Sequence, residues 1–197
     1  TTGSTDTIVG SAAGKALTTG YSNVLLGKSA GTAMVGNHNN IAIGQGALDA
    51  ATDTEHYNVA IGNNALGAED SSADYCVAVG HHALTLQNAN VKNTAIGGLA
   101  GAELVGGTQN TLIGYNAGNQ LDGNENGNTF IGHDAGSNAD GAEDNTFIGA
   151  FAGGLGIATG NNNVAVGQAA GYDLTAGDSN VMVGRYAAYN ATTAKQN

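Results

Sequence analysis

The sequence predicts an all-β chain, a parallel β-solenoid of about eleven coils of 17–18 residues each, with residues 1–197 forming one repeat domain. Three observations predict it. An Ile/Val/Leu-Gly step recurs at Gly10, Gly27, Gly44, Gly62, Gly80, Gly97, Gly114, Gly132, Gly149, Gly167 and Gly184, always 17 or 18 residues apart. Thr, Val or Ile stands three before that Gly and Ile, Val or Leu one before it, nearly all β-branched, the spacing of one face of a strand rather than of a helix. Ala stands three after it in all eleven copies, from Ala13 to Ala187. A fixed period that fills the chain is the signature of stacked, nearly identical units.

Each part of the unit has a reason, taken in chain order and numbered from the column Gly as zero. Position −4 is Asn in nine copies, with Asp6 and Cys76 in the other two. Asn suits the turn before a strand, and a stacked Asn column can hand hydrogen bonds from coil to coil. Positions −3 to −1 are the predicted strand, four or five residues long with its neighbours. NTFIG at 128–132 and again at 145–149 is two successive copies of it. The column Gly allows a corner at positive φ. The Ala at +3 marks a place where two walls approach too closely for a larger side chain. A weaker second strand is expected beyond it, around an often apolar position +7 (Leu17, Met34, Leu104, Leu121, Leu174). Coils stacked at ~4.8 Å would give a rod on the order of 50 Å long.

Composition excludes several functions. The net charge is −11, with only five Lys and Arg, so the chain offers no patch for nucleic-acid phosphates or an anionic membrane surface. No apolar run approaches a membrane span of ~20 residues. The chain begins at Thr1 rather than Met, and is read as a fragment or processed product without a leader. Hydrophobic residues make up 41%, many of them Ala, and Trp is absent; the core must therefore be thin. Cys76, the single cysteine, is expected to be a buried, inert thiol.

Position −2 carries the strongest expectation about assembly. It reads Ile8, Leu25, Ala42, Ala60, Ala78, Ala95, Leu112, Phe130, Phe147, Ala165 and Met182, with no polar member. With the β-branched positions −3 and −1 taken as the core face, alternation turns position −2 outward. An apolar stripe of that length needs a cover. The chain is therefore expected to form a homo-oligomer, a three-fold assembly suiting the narrow stripe, with Ile8, Leu25, Leu112, Phe130, Phe147 and Met182 at the contact. A wider coil burying both faces within one chain is the other reading.

Chemistry is sparse. DGNENG at 122–127 matches the opening of a calcium loop, but the twelfth position is His133 instead of Glu, so it reads as a turn. The His81–His82 pair lies three coils from His133 and does not converge with it. No nucleophile–base or carboxylate-pair motif is present, and no enzyme activity, metal or cofactor is expected. The connections before each Asn vary and are rich in acids, among them Glu55, Glu69, Asp70, Asp74, Glu125, Asp140, Glu143, Asp144 and Asp178. Variation on a fixed scaffold is where binding is expected. Tyr57, Tyr115, Tyr172, Tyr186 and Tyr189 would suit glycans by stacking. A Thr array of the ice-binding kind is a further reading, with Thr7, Thr94, Thr111, Thr129 and Thr146 in one column that Val or Ile fills elsewhere.

The units NVAIGNNAL (58–66) and NVAVGQAAG (163–171) resemble the repeat of YadA-like trimeric autotransporter head domains. NTLIGYNAG (110–118) and NTFIGHDAG (128–136) are similar to repeats of phage and phage-like tail fibres. The resemblance covers all eleven units. It implies a left-handed parallel β-roll, homotrimeric and extracellular, on a virion or particle tail fibre or a bacterial cell surface. Its expected partners are its own copies and a cell-surface receptor or glycan, with no nucleic acid and no membrane insertion. The Asn-Thr form of the unit and the lack of sustained heptads favour the fibre over the autotransporter head.

Overall fold

A computed structural model describes residues 5–52, 55–68, 73–88, 92–154 and 160–193. Its strands are β1 Thr7–Val9, β2 Val24–Leu26, β3 Ile41–Ile43, β4 Val59–Ile61, β5 Val77–Val79, β6 Thr94–Ile96, β7 Thr111–Ile113, β8 Thr129–Ile131, β9 Thr146–Ile148, β10 Val164–Val166 and β11 Val181–Val183. They form one eleven-stranded parallel sheet in chain order. Equivalent positions pair throughout: Thr129 faces Thr146, Phe130 faces Phe147 and Ile131 faces Ile148. The protein is thus an all-β parallel solenoid, and no helix is present among the described residues.

Each strand is three residues long, shorter than expected, and among the described residues no second strand follows it. Outside the sheet one isolated bridge, Tyr21 with His38, is found among the described residues. Backbone hydrogen bonding between coils nevertheless continues past the strand. Asn116 N–H donates to Gly98 C=O at 2.9 Å and Gly118 N–H to Ala135 C=O at 3.0 Å. The expected second wall is therefore laddered, but in tight turns rather than extended chain.

The Gly column is required twice over. Gly62 has φ +141°, and a Cβ there would lie 2.3 Å from the Gly80 carbonyl oxygen of the next coil. No L side chain tolerates both the dihedral and the contact.

Position −2 points inward. Leu25, Ala60, Leu112, Phe130 and Phe147 are fully buried within the single chain. They pack with the +3 alanines, with position +4 and with Leu17, Met34, Leu104, Leu121 and Leu174 of position +7. Positions −4 and −2 lie on one side of the strand by alternation, and the Asn column is buried with them.

Volume is matched across this core. Positions −2 and +4 face each other, and a large side chain at one goes with a small one at the other; Ala95 with Gly101 and Ala165 with Gly171 are small at both, the space at Gly101 being met by Leu84 and Leu112 of the adjoining coils. Phe130 opposes Gly136, where a Cβ would meet the ring at 2.4 Å, and Phe147 opposes Gly153 in the same way. Where position −2 is Ala42, Ala60 or Ala78, position +4 is Leu48, Leu66 or Leu84, all fully buried. These leucines hold φ of +51°, +48° and +49°. That left-handed backbone costs an L residue about 1–2 kcal/mol. Burying a leucine side chain stabilises by roughly 1.5–3 kcal/mol, so packing wins.

Candidate interaction surfaces

The buried Asn column clamps each coil to the next. Asn128 Oδ1 accepts the Asn145 backbone N–H at 3.0 Å, while Asn128 Nδ2 donates to the Ala142 carbonyl at 2.8 Å. The pattern repeats at Asn40, whose Oδ1 accepts from Asn58 N–H and whose Nδ2 donates to Glu55 C=O. One amide thus serves the start of the next strand and the loop leading into it. Cys76 is fully buried in this column and takes the Asn58 Oδ1 bond on its own N–H at 2.9 Å.

The acid-rich connections prove to be structural in part. Position −6 forms a second ladder, in which a side chain accepts the backbone N–H one coil back. Asp74 accepts from His56, Asp178 from Asn161 and Asn126 from Thr108. His56 fills the same role, its Nδ1 accepting the His38 N–H at 3.2 Å. The His38 and His56 rings stack at 3.7 Å and 4°. Burial pushes the His56 imidazole below the ordinary histidine range and His38 pushes it further, against an opposing pull from Asp74 and Glu55. Glu55 is buried and accepts from Asn37 Nδ2 at 2.7 Å. Glu69 and Asp70 lie outside the described residues.

The calcium-like DGNENG stretch brings Asp122 and Glu125 together with Asp140, their ligand atoms within 4.8 Å of one another. Glu125 is buried, and both its oxygens accept backbone N–H groups, from Gly123 at 3.0 Å and Gly141 at 3.1 Å. This carboxylate ties two loops together. Desolvation, then Asp122, raises the Asp140 carboxyl above its ordinary value. His81 and His82 meet edge to face at 4.1 Å, and His82 Nδ1 lies 3.1 Å from Thr85 Oγ1. His133 sits instead against Asp134 at 2.7 Å.

The expected contact residues need correcting. Leu25, Leu112, Phe130 and Phe147 are inaccessible in one chain and Met182 is 5% exposed; Ile8, in the first coil, is 37% exposed. The five buried residues are core, and cannot be the covered stripe. The alternation was assigned with the wrong parity. The buried Asn at −4 sets the inward face, so −3 and −1 turn outward, Thr column included. Those positions make a face with no charged side chain across eleven strands. Val9 (57%), Leu26 (43%), Ile96 (40%) and Val183 (68%) are exposed on it.

A second surface is aromatic. Tyr115 stacks on His133 at 5.4 Å, and His133 lies 5.4 Å from Phe151. Tyr172 stacks on Tyr189 at 4.7 Å and 5°, with Tyr186 edge-on to Tyr189 at 83°. A cleft of about 220 Å³ is lined by Phe151, Gln168, Ala169, Tyr172, Tyr186 and Tyr189. A separate stack, Tyr57 on Tyr75 at 5.0 Å, belongs to the N-terminal coils. The sequence offered these tyrosines singly; the coil register is what gathers four of them along one edge.

Among the described residues no helix is long and apolar enough to cross a membrane. The chain matches no family model, no curated protein and no solved structure.

Proposed function

We propose that this chain is a non-enzymatic segment of a phage or phage-like tail fibre, a left-handed homotrimeric β-roll that takes part in attachment to a host cell surface. The observation that carries the reading is the outward strand face. Its −1 column is aliphatic in all eleven strands and its −3 column is Thr, Val or Ile. Leaving such a face in water forfeits burial worth ~25 cal/mol per Å² of apolar area. A cover must be as long as the solenoid, uncharged and in the same repeat. A second and a third copy of the chain meet all three conditions, and a narrow stripe on each suits a three-fold axis. Handedness and function draw on the repeat resemblance. The NVAIG form of β4 and the NVAVG form of β10 favour a second reading, the head of a trimeric autotransporter adhesin.

Sedimentation equilibrium at micromolar concentration tests the assembly, the expected mass being three times 19.3 kDa. The double variant Ile96→Asp, Ile113→Asp places charges on the outer face and should yield folded single chains. A wild-type protein that sediments as a lone chain would falsify the trimer. Attachment is tested by binding of the labelled trimer to candidate host cells.

A further inference from the structure

We propose that the cleft of the three C-terminal coils is a binding site for a linear, neutral oligosaccharide, with Phe151, Tyr186, Tyr172 and Tyr189 as its aromatic surface. The inference rests on the attachment reading and names the ligand class and the place.

The argument is geometric. Tyr172 and Tyr189 stack face to face on successive coils, 4.7 Å apart, so they close against each other and offer ring edges and hydroxyls to the side. Phe151 and Tyr186 stand across those planes, at 68° to Tyr172 and 83° to Tyr189. Their ring planes therefore run along the stacking direction. Both occupy position +2, with Ala169 between them at the same position of the intervening coil. The small residue leaves a dip between two ring faces that are two coil steps, ~10 Å, apart. A two-sugar unit of a linear saccharide covers that length. Each pyranose carries a C–H face suited to an aromatic ring, whose face is electron-rich.

The rim supplies the other half of recognition. The exposed Gln168 side chain lines the cleft. Arg185 lies 4.6 Å over the Tyr186 ring and donates to its hydroxyl at 3.0 Å, so guanidinium donors sit beside the dip. An aromatic concavity with a few polar groups is the common form of small-ligand sites. Charge selects among sugars: with a net charge of −11, the chain repels polyanionic glycans. The Tyr57–Tyr75 stack is crossed by the His38 and His56 imidazoles, at 79° and 76°, instead of by a +2 ring with an apolar face, and serves as the internal control.

The test uses the intact assembly and a panel of neutral glucose, galactose, mannose and N-acetylhexosamine oligosaccharides of two to six units. Saturation-transfer NMR should place bound sugar protons against tyrosine rings, with longer chains favoured over single sugars. Tyr172→Ala and Tyr186→Ala should each weaken binding by about tenfold; Tyr57→Ala should retain it. No transfer from any panel member overturns the proposal. So does binding unchanged in both alanine variants, or capture of a proline-rich peptide in the cleft with no saccharide bound. Cell attachment separates the two claims. A Tyr186→Ala trimer that still attaches removes the cleft and keeps the attachment reading; a wild-type trimer that takes the sugars yet attaches to no cell does the reverse.

Discussion

At the scale of single residues, stability rests on side chains that impersonate the backbone. Column asparagines such as Asn40, Asn110, Asn128 and Asn145 each close two buried main-chain groups, a carbonyl of the loop and the N–H that opens the next strand. Asn128→Ala would orphan the Asn145 N–H and the Ala142 carbonyl, at a cost of roughly 3 kcal/mol. Chemical denaturation of the variant reads that loss directly. Cys76 is the one thiol in the column, and Cys76→Asn places an amide oxygen toward the Asn93 N–H, as Asn58 Oδ1 meets the Cys76 N–H; a higher denaturation midpoint is the expected result. His56 carries the pH dependence. Its Nδ1 must be unprotonated to accept the His38 N–H, and its folded pKa is depressed by burial first and His38 second. His82 is depressed too, by burial and then His81. A histidine so shifted binds fewer protons folded than unfolded. Its stabilising contribution is therefore present above the unfolded value of ~6.5 and is lost as pH falls through the folded pKa. Melting temperature should drop between pH 7.5 and 5.5. His56→Asn, the residue that Asn126 and Asn161 place at that position, should flatten the drop. An identical slope in wild type and variant would place the pH sensitivity elsewhere.

At the scale of the coil, the sequence carried the repeat, the strand position, the parallel register and the reason for the Gly and Ala columns. It also carried the core, in a form that position-by-position reading misses. Period-two alternation says that −2 opposes −3 and −1; it does not say which side is dry. The deciding signal is a one-way correlation between columns: Phe or Leu at −2 always has Gly at +4, and Leu stands at +4 only where −2 is Ala. The aromatic cleft was out of reach for another reason. Phe151 and Tyr186 stand at +2 and Tyr172 at +5, and the turn after the Gly decides that these positions meet. The volume rule predicts a rescue. Ala60→Leu alone overpacks, at ~1–3 kcal/mol. Leu66→Gly alone opens a cavity and costs ~2–5 kcal/mol, less the relief of a left-handed leucine. Together they convert a small–large coil into the large–small type of Leu112 and Gly118. The double variant should recover most of the summed loss in a double-mutant cycle, and strict additivity would mean that the two positions do not share one space.

At the scale of the whole molecule, each strand pairs with the strands of the neighbouring coils, in the order β1 to β11. Stability is then a sum of coil terms and nearest-neighbour interfaces. Length should be adjustable in units of one coil and in no other unit. Deleting residues 63–80 joins Gly62 to His81 across one full period of 18 residues. The join keeps Ala60 opposite a +4 leucine, now Leu84, and it removes Cys76, so Asn58 Oδ1 meets the Asn93 N–H and the column runs from Asn to Asn. Deleting 63–71 instead breaks the period in mid-coil and faces the strand residues with turn residues. The full-coil deletion is expected to melt cooperatively within a few degrees of wild type and to keep the parent's number of chains per assembly, because all copies shorten together and their outer faces stay in register. The half-coil deletion is expected to give no cooperative transition by circular dichroism. If both deletions fold equally well, coil register does not govern this molecule; if neither folds, the coils are not independent units and the nearest-neighbour description fails.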